Sequence, residues 1–309
     1  MATYNTELLR KGPGLLLRDI LSNEDPQVQA VIATIAAANP DIIALQGVDY
    51  DLEGRALEAL RSALQENGIS YPHAFAAPPN AGLRSGLDLD GDGKLAGPGD
   101  AQGYGAFLGQ GAMALLSKYP VVSDAVEDFS AELWQDQPGD IMPVVDGLPF
   151  PSAEAQLKQR LFSHGGWVVP VRHPKYGLIR IITFHATPPV FDGPEDRNGR
   201  RNNDEVMFWH RYLSDPERAK STVIAADANL DPKRGDGRRE AMGQLLAHPA
   251  LQDPLPGAPT VTWAQTGPMR VDYVLPSVDW RILDAGMTPA NVAASRHNLV
   301  WVDLMPRAP

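Results

Sequence analysis

Four polar residues in the second half of the chain have the types and the spacing that a hydrolytic site requires. Asp227 and Asn229 end an apolar run that begins at Thr222. Asp272 lies in a second apolar run, and His297 comes just before a third. Short apolar runs between turn residues predict buried strands, so we expect these side chains at strand ends, where a rigid scaffold presents chemistry. Two acids, an amide and an imidazole can hold a water or a metal ion against a phosphate.

The elements that would position these residues alternate between strands and helices. Apolar periodicity predicts helices between Asp25 and Asn39 and at 56–64, 202–213 and 238–246. Apolar runs predict strands at 41–45, 112–116, 121–126, 167–171 and 178–184, from 222 onwards and near the end of the chain. Because hairpins alternate with helix crossovers, we predict an α/β (α+β) fold, a four-layered sandwich of two packed mixed β-sheets with helices on the outer faces.

The chain contains one segment of different composition. Residues 71–111 are rich in Gly, Pro, Asn and Asp, which predicts an irregular insertion. Such long irregular segments are uncommon in compact domains and are typically functional or disordered. No Ser- or Gly-rich linker divides the chain, so we expect a single domain over residues 1–309.

Composition and charge exclude several classes of protein. The formal net charge of -11 disfavours binding of long nucleic acid, because Lys and Arg are the main ligands of a phosphate backbone. The absence of Cys excludes disulfides and thiolate metal sites. No apolar run is long enough for a membrane span. The chain starts almost directly on its first predicted strand, as a processed or trimmed protein does, which favours export (periplasmic or secreted) over a cytoplasmic location without deciding between them.

With these residues in view, the chain resembles the endonuclease/exonuclease/phosphatase superfamily, the fold of deoxyribonuclease I and of neutral sphingomyelinases. Short segments carry the resemblance and follow the family's order, at residues 3–5, 40–49, 115–120, 184–185, 226–229, 271–273 and 295–297. Each segment alone is a weak signal, but their common order is a strong one. Residues 185–202 further resemble a bacterial branch of the superfamily whose substrates are poorly defined.

The resemblance implies a role for each residue of the site. Asp227 would orient or deprotonate the attacking water, and Asn229 and His185 would contact phosphate oxygens. Asp272 would hold the imidazole of His297 and raise its basicity, as in hydrolase triads. The alternatives are a turn at Asp227 and Asn229, a core His297 with satisfied hydrogen bonds, and a His185 that caps the turn after it.

Two positions depart from the family pattern. Gly47 stands where the family has a metal-binding Glu, and Arg296 stands where it has an Asp. Both carboxylates help to hold a divalent cation, which prefers oxygen ligands, so the departures weaken the magnesium or manganese site that the resemblance implies. Asn5 matches the family's metal-side Asn, and Asp49 could supply a further oxygen because it is two positions from Gly47. Glu7 could supply an oxygen in the same way, because it is two positions from Asn5.

Five donor residues are candidates for binding the substrate. The planar guanidinium of Arg suits phosphate oxygens, and a helix N-terminus adds a favourable dipole. Four candidates precede the helix predicted from residue 202, and the alternative for them is a solvated loop in which they pair with neighbouring acids. The fifth would replace part of the electrostatic work of a metal, because Gly47 leaves it no Glu to pair with. These candidates are Arg197, Asn198, Arg200, Arg201 and Arg296.

A second metal site is predicted inside the insertion. Asp88, Asp90 and Asp92 alternate with other residues as in the first half of a calcium loop. The Glu expected at the twelfth position is absent, and Asp100 comes one residue later. No helix pattern flanks the segment, so we predict an isolated structural calcium loop rather than an EF-hand. The alternative is a solvated acidic turn, in which converging carboxylates would repel each other.

These observations favour a phosphoester hydrolase, either a phosphodiesterase or a phosphomonoesterase, that acts on a small substrate by in-line attack of water. The alternative is a non-catalytic descendant of the fold that binds a phosphorylated ligand or only calcium. Gly47 and Arg296 favour the alternative, whereas the retained acids, amide and imidazoles favour the enzyme. A nuclease of long DNA is disfavoured by the net charge. We expect a monomer.

Overall fold

The structure is a computed structural model, and it describes residues 1–307. The strands are β1 (Ala2–Leu8), β2 (Ile42–Val48), β3 (His73–Phe75), β4 (Ala112–Ser117), β5 (Glu127–Asp128), β6 (Val144–Val145), β7 (Leu148–Pro149), β8 (Gly166–His173), β9 (Gly177–Phe184), β10 (Thr222–Asp227), β11 (Val261–Trp263), β12 (Gly267–Met269), β13 (Asp272–Pro276), β14 (Trp280–Met287) and β15 (Val300–Pro306). The helices are α1 (Leu15–Ser22), α2 (Pro26–Ala38), α3 (Arg55–Glu66), α4 (Ala153–Gln156), α5 (Arg197–Tyr212), α6 (Pro216–Ala219) and α7 (Arg239–Leu246).

The strands form two large mixed sheets. One has the order β14-β15-β1-β2-β4-β3, and the other has the order β13-β10-β9-β8-β5. The β1–β2 and β9–β10 pairs are parallel, and the other neighbours in these sheets are antiparallel. A parallel neighbour requires a crossover, which explains why helices separate these strands in the sequence.

Successive side chains along each central strand point into different hydrophobic cores, and these cores separate the layers. In β10, Val223 and Ala225 contribute to the core shared by the two sheets, whereas Ile224 belongs to a second core that includes residues of α5 and α7. In β2, Ala44 faces the shared core, and Leu45 faces a third core beneath α1, α2 and α3. The strands are therefore buried on both faces, which explains their continuous apolar runs. The predicted four-layered sandwich is confirmed.

Local predictions agree with the structure where strong end signals exist. The side chain of Asp25 caps α2 by accepting from the Val28 amide at 2.9 Å. The strand predicted at 121–126 is wrong, because residues Ser123–Ala125 form a 3₁₀ turn and Val121 makes only an isolated bridge. Helix α1 was not predicted, since its short apolar run follows a Gly without a capping side chain. Within residues 1–307, no helix is long and apolar enough to cross a bilayer.

The insertion at 71–111 is irregular apart from β3 and a 3₁₀ turn at Pro98–Asp100. It is nevertheless packed against the rest of the chain, because Asn80 and Leu89 are fully buried. The amide of Asn80 donates to the carbonyl oxygens of Ser130 and Phe162, at 2.6 and 2.7 Å. The segment is therefore a fixed part of the wall beside the five-stranded sheet.

Candidate active site at the ends of both sheets

The candidate site lies where strand ends from the two sheets meet. Asp227 is the last residue of β10, and Asp272 is the first residue of β13, directly opposite it in the antiparallel pair. Asn5 comes from β1 in the other sheet, and His297 lies just before β15. His185 follows β9 and forms a parallel bridge with Asp227. The fold thus brings together residues that are far apart in the sequence.

The carboxylate of Asp227 is at the centre of this group and is fully buried. Its Oδ2 accepts a hydrogen bond from the Asn5 amide at 2.8 Å. The same oxygen lies 3.5 Å from Nε2 of His185 and 3.9 Å from Nδ1 of His297. Its Oδ1 accepts from the backbone N–H of Asn229 at 2.8 Å. Donors from both sheets therefore fix one carboxylate in place.

His297 is held by Asp272, whose oxygens lie 2.9 and 3.1 Å from Nδ1. Burial alone would lower the pKa of His297, but the charge and hydrogen bond of Asp272, with a contribution from Asp227, raise it to about 9. Burial, reinforced by the charge of Asp272, raises the pKa of Asp227 to about 7. At neutral pH the ring of His297 is therefore an imidazolium beside two acids.

His185 and Asn229 also contact the carboxylate of Asp227. Burial, together with the proximity of His164 and His297, holds the pKa of His185 well below its usual value, so its ring is neutral. The side-chain amide of Asn229 donates to the carbonyl oxygen of Ala186 at 2.9 Å. An amide nitrogen carries two N–H groups, and the second has no acceptor among residues 1–307, so it can donate to a ligand.

The donor set fits a divalent cation only in part. Ligand atoms of Asp227, Asp272 and His297 lie within 4.8 Å of one another. Two opposed carboxylates suit a hard cation, which would relieve their mutual repulsion. Nδ1 of His297 faces Asp272 as a donor, so the carboxylates are the better ligands. Asp49 is not brought to this group, because its oxygens accept the backbone N–H groups of Arg10 and Gly111, each at 2.9 Å.

Gly47 is the residue that the local backbone requires. Its φ of +69° is disfavoured for other residues, and a Cβ built there would lie 2.5 Å from Oδ1 of Asn5 and 3.0 Å from the backbone N of Glu7. The register of β1 and β2 shifts at this point. A Glu side chain could not be added here without displacing Asn5, so the close approach of β1 to β2 requires this departure from the family pattern.

Arg296 forms an ion pair with Glu7. Its Nε donates to Oε1 of Glu7 at 2.8 Å, its Nη2 contacts the same oxygen, and its backbone N–H donates to Oε2 at 2.8 Å. Burial would raise the pKa of Glu7, but these contacts outweigh it and lower the pKa. The prediction that Gly47 leaves Arg296 without a carboxylate partner is therefore wrong, because the partner comes from β1.

The other predicted substrate donors lie inside α5 rather than before it. Helix α5 begins at Arg197, five residues earlier than predicted, because the Asn198 backbone N–H is bound by the Asp192 carboxylate at 2.5 Å. Arg201 is buried, and its guanidinium donates to the carbonyl oxygens of Leu161 and Gln102 at 2.7 and 2.6 Å. The fold uses these donors, which corrects the prediction that Arg201 binds substrate.

The remaining members of this group also bind backbone carbonyl oxygens. Arg200 donates to the oxygens of Glu195 and Ile141, each at 3.1 Å. Asn198 donates to the oxygen of Val190 at 2.8 Å, and Arg197 donates to that of Leu89 in the insertion. Within residues 1–307 the arginines of this group do not form the ion pairs with the acids of the segment that the alternative supposed, since Asp192 binds the Asn198 backbone and Asp196 pairs with Arg238 at 2.7 Å. These residues therefore fix loops and leave no complete phosphate-binding fork.

Two residues of α5 support the site directly: Asn202, which the sequence reasoning counted among the donors of this segment, and Glu205, which it missed. The amide of Asn202 donates to the carbonyl oxygens of Thr187 and Ala228, each at 2.8 Å. The buried carboxylate of Glu205 accepts the backbone N–H groups of Ser163 and Thr187, each at 2.6 Å. The helix thus binds the segments that carry the site residues. The sequence does contain a signal for this role, because Asn202 and Glu205 are three positions apart and therefore share one face of the helix with apolar residues.

The insertion contains a second acidic group. Carboxylate oxygens of Asp88, Asp90 and Asp100 lie within 4.8 Å of one another. Asp92 does not join them, because its carboxylate pairs with Nζ of Lys94 at 3.0 Å. Three of the predicted ligands could therefore hold a metal ion, and the fourth, Asp92, pairs with Lys94 instead.

The sequence over residues 2–297 matches the endonuclease/exonuclease/phosphatase family. The chain belongs to this family. No curated protein matches the sequence closely enough to be informative. Members of this family, as its description states, include endonucleases, exonucleases and phosphatases, enzymes that cleave phosphoesters.

Several solved structures share the fold. An endonuclease/exonuclease/phosphatase from Beutenbergia cavernae is 18% identical with a TM-score of 0.64, covering 99% of this chain and 70% of that chain. Sphingomyelinase C from Streptomyces griseocarneus is 15% identical with a TM-score of 0.52, covering 97% and 96%. Beta toxin from Staphylococcus aureus, solved with bound magnesium ions, is 13% identical with a TM-score of 0.51, covering 97% of each chain. At these identities the likeness concerns the fold alone.

Proposed function

We propose that this family member is a phosphoester hydrolase in which water attacks phosphorus in line with the leaving group. The observation that carries the proposal is the convergence on Oδ2 of Asp227, which lies 2.8 Å from the Asn5 amide, 3.5 Å from His185 and 3.9 Å from His297. A buried carboxylate with two imidazoles beside it can orient a water and stabilise a phosphoryl group together.

The roles follow from the charge states. Asp227 orients the water and takes its proton as the new bond to phosphorus forms and the bond to the leaving oxygen breaks. The imidazolium of His297, fixed by Asp272, stabilises the negative charge that develops. The neutral ring of His185 and the free N–H of Asn229 donate to phosphoryl oxygens. The net reaction adds one water across the phosphoester bond.

A divalent cation at this site would neutralise part of the phosphoryl charge, and Asp227 and Asp272 are the residues that would hold it. Magnesium or manganese is the class of ion that suits carboxylate ligands. The proposal is supported by the magnesium ions in the beta toxin structure, which has the same fold.

A panel of phosphomonoesters and phosphodiesters, assayed with magnesium, manganese, calcium or a chelator, tests the proposal. We expect turnover of at least one small substrate. The second candidate, a descendant that binds a phosphorylated ligand without turnover, is favoured by Gly47 and by the ion pair of Arg296 with Glu7. Binding of inorganic phosphate with no turnover under any metal condition would support it.

Arg296 can reach a substrate only by leaving Glu7. Its side chain is 60% exposed, whereas that of Glu7 is 17% exposed, so the pair lies at the rim. We predict that Arg296→Gln raises KM and Glu7→Gln lowers it, each by up to about fivefold, the scale of an exposed ion pair. Steady-state kinetics would measure both. Equal KM values in the two variants would assign the pair a purely structural role.

Calcium should bind the group of Asp88, Asp90 and Asp100. Binding to the native state alone stabilises it, by about 2.7 kcal/mol at a ligand concentration a hundred times Kd. We predict a rise in the melting temperature of several degrees between chelator and millimolar calcium. Asp90→Asn should remove the rise, and Asp124→Asn, a change at an exposed acid, should retain it. An unchanged wild-type melting temperature would contradict the calcium site.

A further inference from the structure

His164, which no comparison or motif singled out, stacks on His185. The two ring centroids are 4.0 Å apart, and the ring planes differ by 12°. Nδ1 of His164 lies 3.0 Å from the carbonyl oxygen of His185, and Oγ of Ser163 lies 3.2 Å from the same oxygen. The backbone N–H of Ser163 is in turn bound to Glu205 at 2.6 Å. The second ring is therefore fixed to both the site and α5.

Hydrogen bonding and proximity assign the protons of the two rings. A carbonyl oxygen only accepts, so Nδ1 of His164 carries its proton. Nε2 of His185 lies 3.5 Å from the acceptor Oδ2 of Asp227, and this proximity alone favours the proton of His185 on Nε2. Burial lowers the pKa of His164 to about 4, so its ring is neutral at pH 7.

The two histidines of the site are oriented in different ways. His297 has Asp272 on its Nδ1, which is the usual means of fixing a catalytic imidazole. In His185 the corresponding Nδ1 is buried and has no hydrogen-bond partner among residues 1–307. Because Nδ1 has no such partner, the ring of His185 lacks the hydrogen bond that would otherwise restrain its rotation about the bond to Cβ. The face of His164 supplies the missing restraint.

We propose that His164 is a positioning residue, which uses ring stacking to hold Nε2–H of His185 toward the phosphoryl group. The inference rests on the proposed function, since it assigns His185 a contact with substrate. It predicts that an aromatic ring at position 164 is sufficient and that the imidazole nitrogens are not required there.

The test compares His164→Ala, His164→Phe, His185→Ala and the double variant His164→Ala/His185→Ala, with bis(p-nitrophenyl) phosphate as the probe. Misplacement of a catalytic group costs up to about a hundredfold in rate. We expect His164→Ala to lower kcat by about tenfold to a hundredfold with KM changed by less than about threefold. His164→Phe should stay within about threefold of wild type, because it retains the stack. The double variant should be no slower than His185→Ala, because the effects are not additive.

A matched control is available at the far end of β8. His173 stacks on Tyr176 with ring centroids 4.2 Å apart and planes 11° from parallel. His173→Ala should leave kcat unchanged, so a loss confined to His164→Ala is specific to the site. The proposal would be overturned if the double variant were slower than His185→Ala by the factor that His164→Ala alone produces. It would also be overturned if His164→Phe were as slow as His164→Ala.

A second measurement does not depend on turnover. In protein labelled with carbon-13 histidine, we expect one sharp Cε1–H resonance for His185 in the wild type and in His164→Phe. In His164→Ala the resonance should broaden or shift as the ring is released, and an unchanged resonance would overturn the proposal. If His185→Ala does not alter turnover while this resonance responds as expected, the proposed role of His185 has failed and the positioning contact stands.

Discussion

Replacement of Asp227 by Asn or of His297 by Ala should each lower phosphoesterase turnover by at least about a hundredfold, the scale of lost acid–base or electrostatic catalysis. Asp227→Asn keeps the shape of the side chain but removes the base and the charge. His297→Ala removes the imidazolium that Asp272 holds at 2.9 Å. The two effects arise from different atoms of the same group, so both variants should be nearly inactive.

Controls for these variants separate catalysis from folding. Asp124 is exposed, and His173 lies at the opposite end of β8 from the site, so Asp124→Asn and His173→Ala should retain wild-type turnover. Asp227→Asn should remain folded, as judged by circular dichroism, because it keeps the shape of the side chain and one oxygen that can accept from the Asn229 backbone N–H. Wild-type turnover in both Asp227→Asn and His297→Ala would remove the basis for the assigned site.

The largest expected loss of stability follows from Glu205→Ala. The change removes the acceptor of two buried backbone N–H groups, those of Ser163 and Thr187, and leaves the buried charge of Arg201 without a nearby acid. Removal of one partner from such a buried charged group costs about 3–5 kcal/mol. We therefore expect the free energy of unfolding to fall by about this amount, as measured by urea denaturation.

A matched variant tests whether the loss comes from burial. Glu240 is an exposed residue in the first turn of α7, so Glu240→Ala should change the free energy of unfolding by less than about 0.5 kcal/mol. Glu205→Gln should lower the free energy of unfolding by an intermediate amount. Its amide keeps one oxygen that can accept from Ser163 or Thr187, but its NH₂ group then faces the other backbone N–H. A Glu205→Ala variant as stable as Glu240→Ala would show that α5 does not hold the site-bearing segments.

The layers of the fold were predictable because local sequence encodes them. In β10 the residues alternate between two cores, and the strand ends at an acid, so both the strand and the position of Asp227 follow from a short window. The start of α5 did not follow, because it depends on the contact of the Asn198 backbone with Asp192. The sequence pattern of Arg and Asn residues is the same whether their side chains face solvent or bind carbonyl oxygens.

The details of the site depended on contacts between distant segments. The partner of Arg296 is Glu7 from the opposite end of the chain, and the need for Gly at position 47 comes from the neighbouring strand. The stack of His164 on His185 likewise depends on the register of β8 and β9, which pairs Gly166 with Phe184. No local pattern reports such contacts, so the sequence alone identified the central acids and imidazoles but not what orients them.

The origin of the oxygen in the product tests the central claim most directly. Wild-type protein with bis(p-nitrophenyl) phosphate and magnesium or manganese, in water enriched in oxygen-18, should release a phosphoryl product that carries the label and a nitrophenol that does not. Mass spectrometry would measure both, and Asp227→Asn should form almost no labelled product. Label in the nitrophenol, or equal labelled product from wild type and Asp227→Asn, would contradict attack of water on phosphorus at this site.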